Sequence, residues 1–198
     1  MLLKTIQRSF PLGFIFLTQT ILGQAGLELE TSKESPFPIV IKDQSISEVI
    51  TTTPEFDHFH ELLAKNTSLF SLLDEEGAWT VFIPTNTAFS GLNKKANLQL
   101  EMSQMILDKF LDWHISDKLI TPKHIQLTGI YNISSYQNRF NFYIHCDHKN
   151  KIKMRNIPAV MEIKAKNGMI YAFDQMTIYP DVLNELNLGK FPVRFESE

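Results

Sequence analysis

His145-Cys146-Asp147-His148 sets four potential metal ligands in a row, and Asp57, His60 and Glu61 fall on one face of a predicted helix. The chemistry on offer is a zinc site built from imidazole, thiolate and carboxylate. Spacing along the predicted elements argues otherwise. Phe140, Phe142, Ile144 and Cys146 alternate onto one strand face, which turns His145 to the other and leaves Asp147 and His148 at the turn. Ligands that diverge cannot close a tetrahedron. Phe56, Phe59 and Leu63 form the apolar stripe that explains the helix of Asp57, and its polar side reads as solvated surface. No metal is expected.

Cys146 is the single cysteine, so no intrachain disulfide can form, and its thiol reads as a small buried apolar group. His114 ends a predicted helix beside Trp113 with no nucleophile in company, which favours a core histidine hydrogen-bonded to the Thr85-Asn86 corner over a catalytic base. The chain contains no G-x-S-x-G, H-E-x-x-H, paired Cys-x-x-Cys or phosphate-cradling glycine loop. Only 8 glycines are available for any such loop. Neither a cofactor nor an enzymatic activity is expected.

One surface feature stands out. Lys151, Lys153 and Arg155 alternate with Ile152 and Met154, so three cations share a strand face, and Lys164 with Lys166 do the same on a second candidate strand. If those strands are neighbours in register, five positive charges form one patch able to hold sulfated glycan or anionic headgroups through salt-sensitive contacts. The competing reading is a solvated outer face whose lysines keep a sheet edge soluble.

The elements that must position these residues follow from hydrophobic period. Ile46, Val49, Ile50, Phe56, Phe59, Leu62, Leu63, Leu69, Phe70, Leu72 and Leu73 recur at three-and-four spacing and predict three short helices. Trp79 to Ile83 is a β-branched, apolar run that predicts a buried strand. Pro84 cannot donate a ladder bond and ends it, Thr85 or Asn86 caps the next turn, and Phe89 faces inward. Met102, Met105, Ile106, Phe110 and Trp113 predict one longer helix ending near His114. Beyond Gly129 the chain is mostly strand, and Asn167-Gly168 reads as a hairpin dipeptide in which both residues need positive φ. Helices first and strands afterwards make the fold class α+β.

Three segments carry a resemblance. TVFIPTNTAF, FLDWHISDKLI and KNGMIYAFDQMTIYP, in this order and spacing across Ser45 to Pro180, resemble the signatures of the fasciclin (FAS1) domain family. The resemblance implies a wedge of two β-sheets packed with several short α-helices, and it makes Thr85, Asn86, Phe89, His114, Asn167 and Gly168 structural signature positions. It also implies extracellular adhesion or matrix modules without known catalysis. Trp113 stands where the family usually has tyrosine before the histidine. Val160-Met161-Glu162-Ile163 occupies the place of an integrin-recognition segment found in some matrix members, and Glu162-Ile163 is a poor match because glutamate is one methylene too long.

Residues 1–25 hold Lys4 and Arg8, no acid, an apolar stretch, and small Gly23 and Ala25 before a cleavage point, which predicts a secretory signal peptide. A mitochondrial presequence or an uncleaved anchor are the alternatives. Taking Lys4 and Arg8 from 19 basic residues leaves 17 against 22 acidic ones, a formal charge of −5, and offers no whole-molecule attraction for nucleic acid. The expected organisation is a leader 1–25, a linker 26–44, a fasciclin-like domain 45–180 and a tail 181–198, with no membrane span in the mature chain. Asn66-Thr67-Ser68 and Asn132-Ile133-Ser134 are glycosylation triplets that suit such a route. The expected function is a secreted adhesion or extracellular-matrix module whose partner is a matrix or cell-surface protein. The alternative is a glycosaminoglycan or anionic-headgroup binding module using the basic strand face.

Overall fold

The structure is a computed structural model and describes residues 39–92, 94–147 and 151–177. The expected leader, most of the expected linker, His148 and the expected tail lie outside these residues.

Helix α1 (Ile46–Thr52) starts at a reciprocal cap: Glu48 N–H donates to Ser45 Oγ at 3.2 Å, and Ser45 N–H donates to the Glu48 carboxylate at 2.8 Å. A 3-10 turn (Pro54–Phe56) leads into α2 (Asp57–Ala64), whose Phe59, Leu62 and Leu63 point inward at helical spacing. Asn66 caps α3 (Thr67–Leu72) by accepting from Leu69 N–H at 3.1 Å. These are the three expected helices.

The single longer helix expected through Met102 and Trp113 is instead two, α5 (Lys94–Met102) and α6 (Gln104–His114), preceded by α4 (Asn86–Ser90). Ser103 interrupts them with extended backbone, φ −107° and ψ 104°. Met102 and Met105 are 77% and 61% exposed, so the buried stripe begins only at Ile106. A short α7 (Pro122–Thr128) follows, capped by Thr121, opened by Pro122 and ended by Gly129 at φ 70°.

Five strands form one sheet in the order β1-β8-β9-β2-β3: β1 (Val40–Ile41), β8 (Met161–Ala165), β9 (Gly168–Phe173), β2 (Trp79–Pro84) and β3 (Ile115–Ser116). The β1–β8 and β2–β9 pairings are parallel, and the others antiparallel. Strand β1 lies ahead of Ser45, so part of the expected linker joins the sheet. A second, four-stranded antiparallel sheet runs β4 (Ile130–Ser134), β5 (Asn141–Cys146), β6 (Ile152–Met154) and β7 (Ile157–Pro158).

The five-stranded sheet is the middle layer. One face, with Val81, Ile83, Ile163 and Ile170, packs in the cluster that holds Ile46, Phe59 and Phe110 of the helices. The other face, with Phe82, Met169, Tyr171 and Phe173, packs on Phe142, Ile144, Ile152 and Met154 of the second sheet. Phe82 meets Phe142 edge to face at 5.3 Å and stacks on Tyr171 at 5.8 Å. Coverage on both faces is why β2 and β9 read as continuous apolar runs.

The positive-φ dipeptide expected at Asn167-Gly168 occurs at Arg155-Asn156, with φ 51° and 64°, in the loop between β6 and β7. Ala165 pairs with Gly168, so the β8–β9 loop is Lys166-Asn167, and neither residue has positive φ. Gly168 answers a different need. A Cβ there would run into the Trp79 carbonyl oxygen and lie 2.8 Å from Ile46 Cδ1.

Candidate functional surfaces and the signature residues

Asn167 is 7% exposed and ties three parts of the chain together. Its Oδ1 accepts from Ile46 N–H at 2.9 Å, and its Nδ2 donates to the carbonyls of Leu73 at 2.9 Å and Glu75 at 2.7 Å. These are an orphan donor at the start of α1 and two carbonyls beyond α3, groups that burial would leave costly. The amide, with two donors and an acceptor, suits the task.

Beside this knot, Ser45 and Ser47 hydroxyls donate to Asp74 Oδ1 at 2.6 and 2.7 Å, and they hold its carboxyl below the usual range. Ser45, Glu48, Asp74, Glu76, Gly77, Lys166 and Asn167 line a depression of about 540 Å³ there.

At the strand-to-helix corner, where Thr85 or Asn86 is expected to cap the turn, Thr85 precedes α4 without a side-chain cap bond. Asn86 reaches outward from the corner: Nδ2 donates to the Pro54 carbonyl at 2.7 Å, and Oδ1 accepts from His58 N–H at 3.1 Å. Phe89 is 3% exposed and packs 6.0 Å from Phe110.

His114 is fully buried, as expected, but its partner is not the Thr85-Asn86 corner. Its Nδ1 bonds the Phe110 carbonyl at 2.7 Å within its own helix, and the ring packs on Phe59 and Phe110. Burial pushes its pKa down to about 4, against a smaller opposing effect of the Phe110 carbonyl, so the imidazole is neutral near pH 7. Nδ1 therefore carries the proton and donates. His114 Nε2 and Thr85 Oγ1 are both buried without a hydrogen-bond partner.

The two candidate strands of the five-cation patch are not neighbours. Lys151, Lys153 and Arg155 belong to the β6 region of the outer sheet, whereas Lys164 and Lys166 belong to β8 and its turn in the middle sheet. Neighbouring strands of β6 are β5 and β7; those of β8 are β1 and β9. Lys153 Nζ also lies 3.4 Å from Asp147 Oδ2, which offsets part of the charge.

Glu162 and Ile163 are each 1% exposed, so the integrin-like segment presents no carboxylate to a partner. The Glu162 side chain lies inside: together with burial, its charge raises the Tyr171 hydroxyl well above its ordinary value and helps push the Cys146 thiol up to about 11. A thiol so poised is not a nucleophile at neutral pH.

His145 faces away from Ile144, in register with Lys153, and its pKa is lowered first by burial and then by that lysine. Among the described residues no group of three or more His, Cys, Asp or Glu could hold a metal ion. Asn66 is half-buried with its Nδ2 donating to Asp108 Oδ1 at 3.2 Å, while Asn132 stands exposed on β4.

Sequence reasoning missed the buried Asp112, which accepts from Gln137 N–H at 2.7 Å and Ser135 Oγ at 3.1 Å, with burial raising its pKa against these bonds. A carboxylate four residues from Asp108 on an otherwise apolar α6 face was the available signal. It also missed the α5–α6 elbow, where Leu98 (52%), Met102 and Met105 are exposed together. Among the described residues no helix is long and apolar enough to cross a membrane.

The sequence profile of the fasciclin domain matches residues 54–179. Protein sll1483 of Synechocystis sp. is 27% identical over 175 residues, covering 85% of this chain and 95% of that protein. Human periostin is 25% identical over 145 residues, covering 70% of this chain and 16% of periostin. Among solved structures, a FAS1 domain pair from the insect cell adhesion molecule fasciclin I superposes with a TM-score of 0.58 at 17% identity, over 70% of this chain and 52% of that one. The chain thus spans about half of that domain pair and a small part of periostin. Profile, relatives and the arrangement of two sheets with short helices agree: the protein belongs to the fasciclin domain family, whose members are typically adhesion- or matrix-associated modules.

Proposed function

We propose that the protein is a secreted module of cell adhesion or the extracellular matrix that works through protein-protein contacts and performs no catalysis. The observation that carries this reading is the direction of the signature side chains. Asn167 spends its amide on three backbone groups, His114 spends its proton on its own helix, and Phe89 fills the core. Asn167 joins elements while His114 and Phe89 face the interior, which leaves recognition to the exposed surface. On that surface the α5–α6 elbow offers a place for contact, because Leu98, Met102 and Met105 are large, apolar, exposed and close in the chain.

The test is attachment of cells and of purified matrix proteins to surfaces coated with the whole chain. Binding that falls at least tenfold when Leu98, Met102 and Met105 are changed together to Glu, with unfolding unchanged, supports both the function and the elbow. Failure to bind any matrix protein or cell surface overturns the function. Export is tested separately by sequencing the first residues of material recovered from the medium, where cleavage next to Ala25 is expected.

A further inference from the structure

The two acceptor triplets sit in opposite environments. At Asn66 both amide atoms are engaged, Oδ1 as the cap of α3 and Nδ2 on Asp108. The side chain also lines a cavity of about 290 Å³ with Leu69, Leu72, Asp112 and Tyr136. A sugar on that nitrogen would have to leave through this crowded wall, against α6.

Asn132 is exposed on β4, the edge strand of the outer sheet, and points away from the core face marked by Ile133. Directly across the ladder from it stands Tyr143, itself 59% exposed, and Ile130 two residues back is 65% exposed. Opposed Cβ atoms on one sheet face lie about 5 Å apart. The apolar C–H face of a pyranose attached to Asn132 therefore reaches the Tyr143 ring, which otherwise shows its π surface to water.

We propose that Asn132 is the N-glycosylated residue of this protein and that its first N-acetylglucosamine rests on Tyr143. The inference rests on the secreted reading above, because the transfer occurs on that route. Asn132 Nδ2 attacks C1 of a lipid-diphosphate-linked oligosaccharide as the C1–O bond breaks. The lipid diphosphate leaves with the electron pair, and the amide proton passes to a base of the transferase. Nothing is oxidised or reduced. The glycan then shields the outer face around Tyr143 and Ile130 and leaves the helical side, with the α5–α6 elbow, as the face open to a protein.

The experiment expresses the full chain in mammalian cells with its own N-terminus and, in parallel, behind a leader from an unrelated secreted protein. Glycans are cleaved enzymatically from the peptides in heavy-oxygen water, which marks each formerly glycosylated asparagine as labelled aspartate. Label at Asn132 and its absence at Asn66, with loss of the gel shift in Asn132→Gln, is the expected result. Label mainly at Asn66, or none at Asn132 in folded protein from the unrelated leader, overturns the site. Tyr143→Ala should at least halve the difference in Tm between glycosylated and deglycosylated protein; an unchanged difference overturns the stacking. Retention of the native-leader form inside cells, while the other is exported and labelled, overturns the secreted reading and not the site.

Discussion

Along β9 every residue from Gly168 to Phe173 is buried, whereas along β5 exposed Asn141 and Tyr143 alternate with buried Phe142 and Ile144. The first strand is roofed by helices on one side and by the second sheet on the other; the second strand is roofed once. That difference sorts the polar residues. In the middle layer they are fixed by backbone bonds, as Asn167 and Thr80 are, the latter accepting from Ile120 N–H at 2.9 Å and donating to the Lys118 carbonyl at 2.7 Å. On the outer sheet they face water, and their identity is loosely constrained by packing. Packing therefore fixes residue identity in one place and leaves it free to vary in another.

Substitutions sharpen or break this contrast. Asn167→Ala should be the most damaging, destabilising by about 3 kcal/mol in denaturant unfolding, since it strands Ile46 N–H and the Glu75 carbonyl and leaves the Leu73 carbonyl only a long bond from Ser47 N–H at 3.4 Å. Asn167→Asp should recover little, because a carboxylate can serve Ile46 but opposes both carbonyls. A loss under 1 kcal/mol would mean that the middle layer is not held as described.

Acid gives the next effect. The folded-state pKa of His114 is pushed down to about 4, while the unfolded chain titrates near 6.5. Between these values the unfolded state holds more protons, so the full contribution is present above pH 6.5 and about 3 kcal/mol is lost as pH falls through 4. The measurement is unfolding free energy from pH 7.5 to 4 in the protein and in His114→Phe. The variant should show a flatter dependence; equal slopes would remove His114 as the cause.

At the periphery, Asn66→Ala should cost about 1 kcal/mol through loss of the α3 cap, with Asn66→Ser restoring most of it. Smallest of all, Lys151 and Lys153 to Glu, or Lys164 and Lys166 to Glu, should each change stability by less than about 0.5 kcal/mol. Because the two pairs lie on different sheets, their effects on elution from immobilised heparin should add. A combined shift well beyond the sum would show one glycan bridging both, contrary to the geometry.

What could be read from residues alone follows the same division. The buried strand Trp79–Pro84 and the first three helices were legible because period and apolar content are local. The helix opened by Thr121-Pro122 and closed by Gly129 also carries its boundaries in plain residues, but its apolar period is weak. Asn167 was legible as a turn and illegible as a clamp, since the groups it binds lie between Ile46 and Glu75, far back in the chain. The basic residues misled for a similar reason: alternation tells which way a lysine faces within its strand, and nothing about which sheet the strand joins.

The place of β9 has a consequence for biosynthesis. It is inserted between β8 and β2, pairing Gly168 with Trp79 and Phe173 with Pro84, so the central sheet cannot close until the far end of the domain has left the ribosome. Until then β2 and the early helices wait with their apolar sides uncovered, a state that favours chaperone capture. A stop codon ahead of Gly168 would yield no smaller working unit, only a chain whose middle strand never arrives.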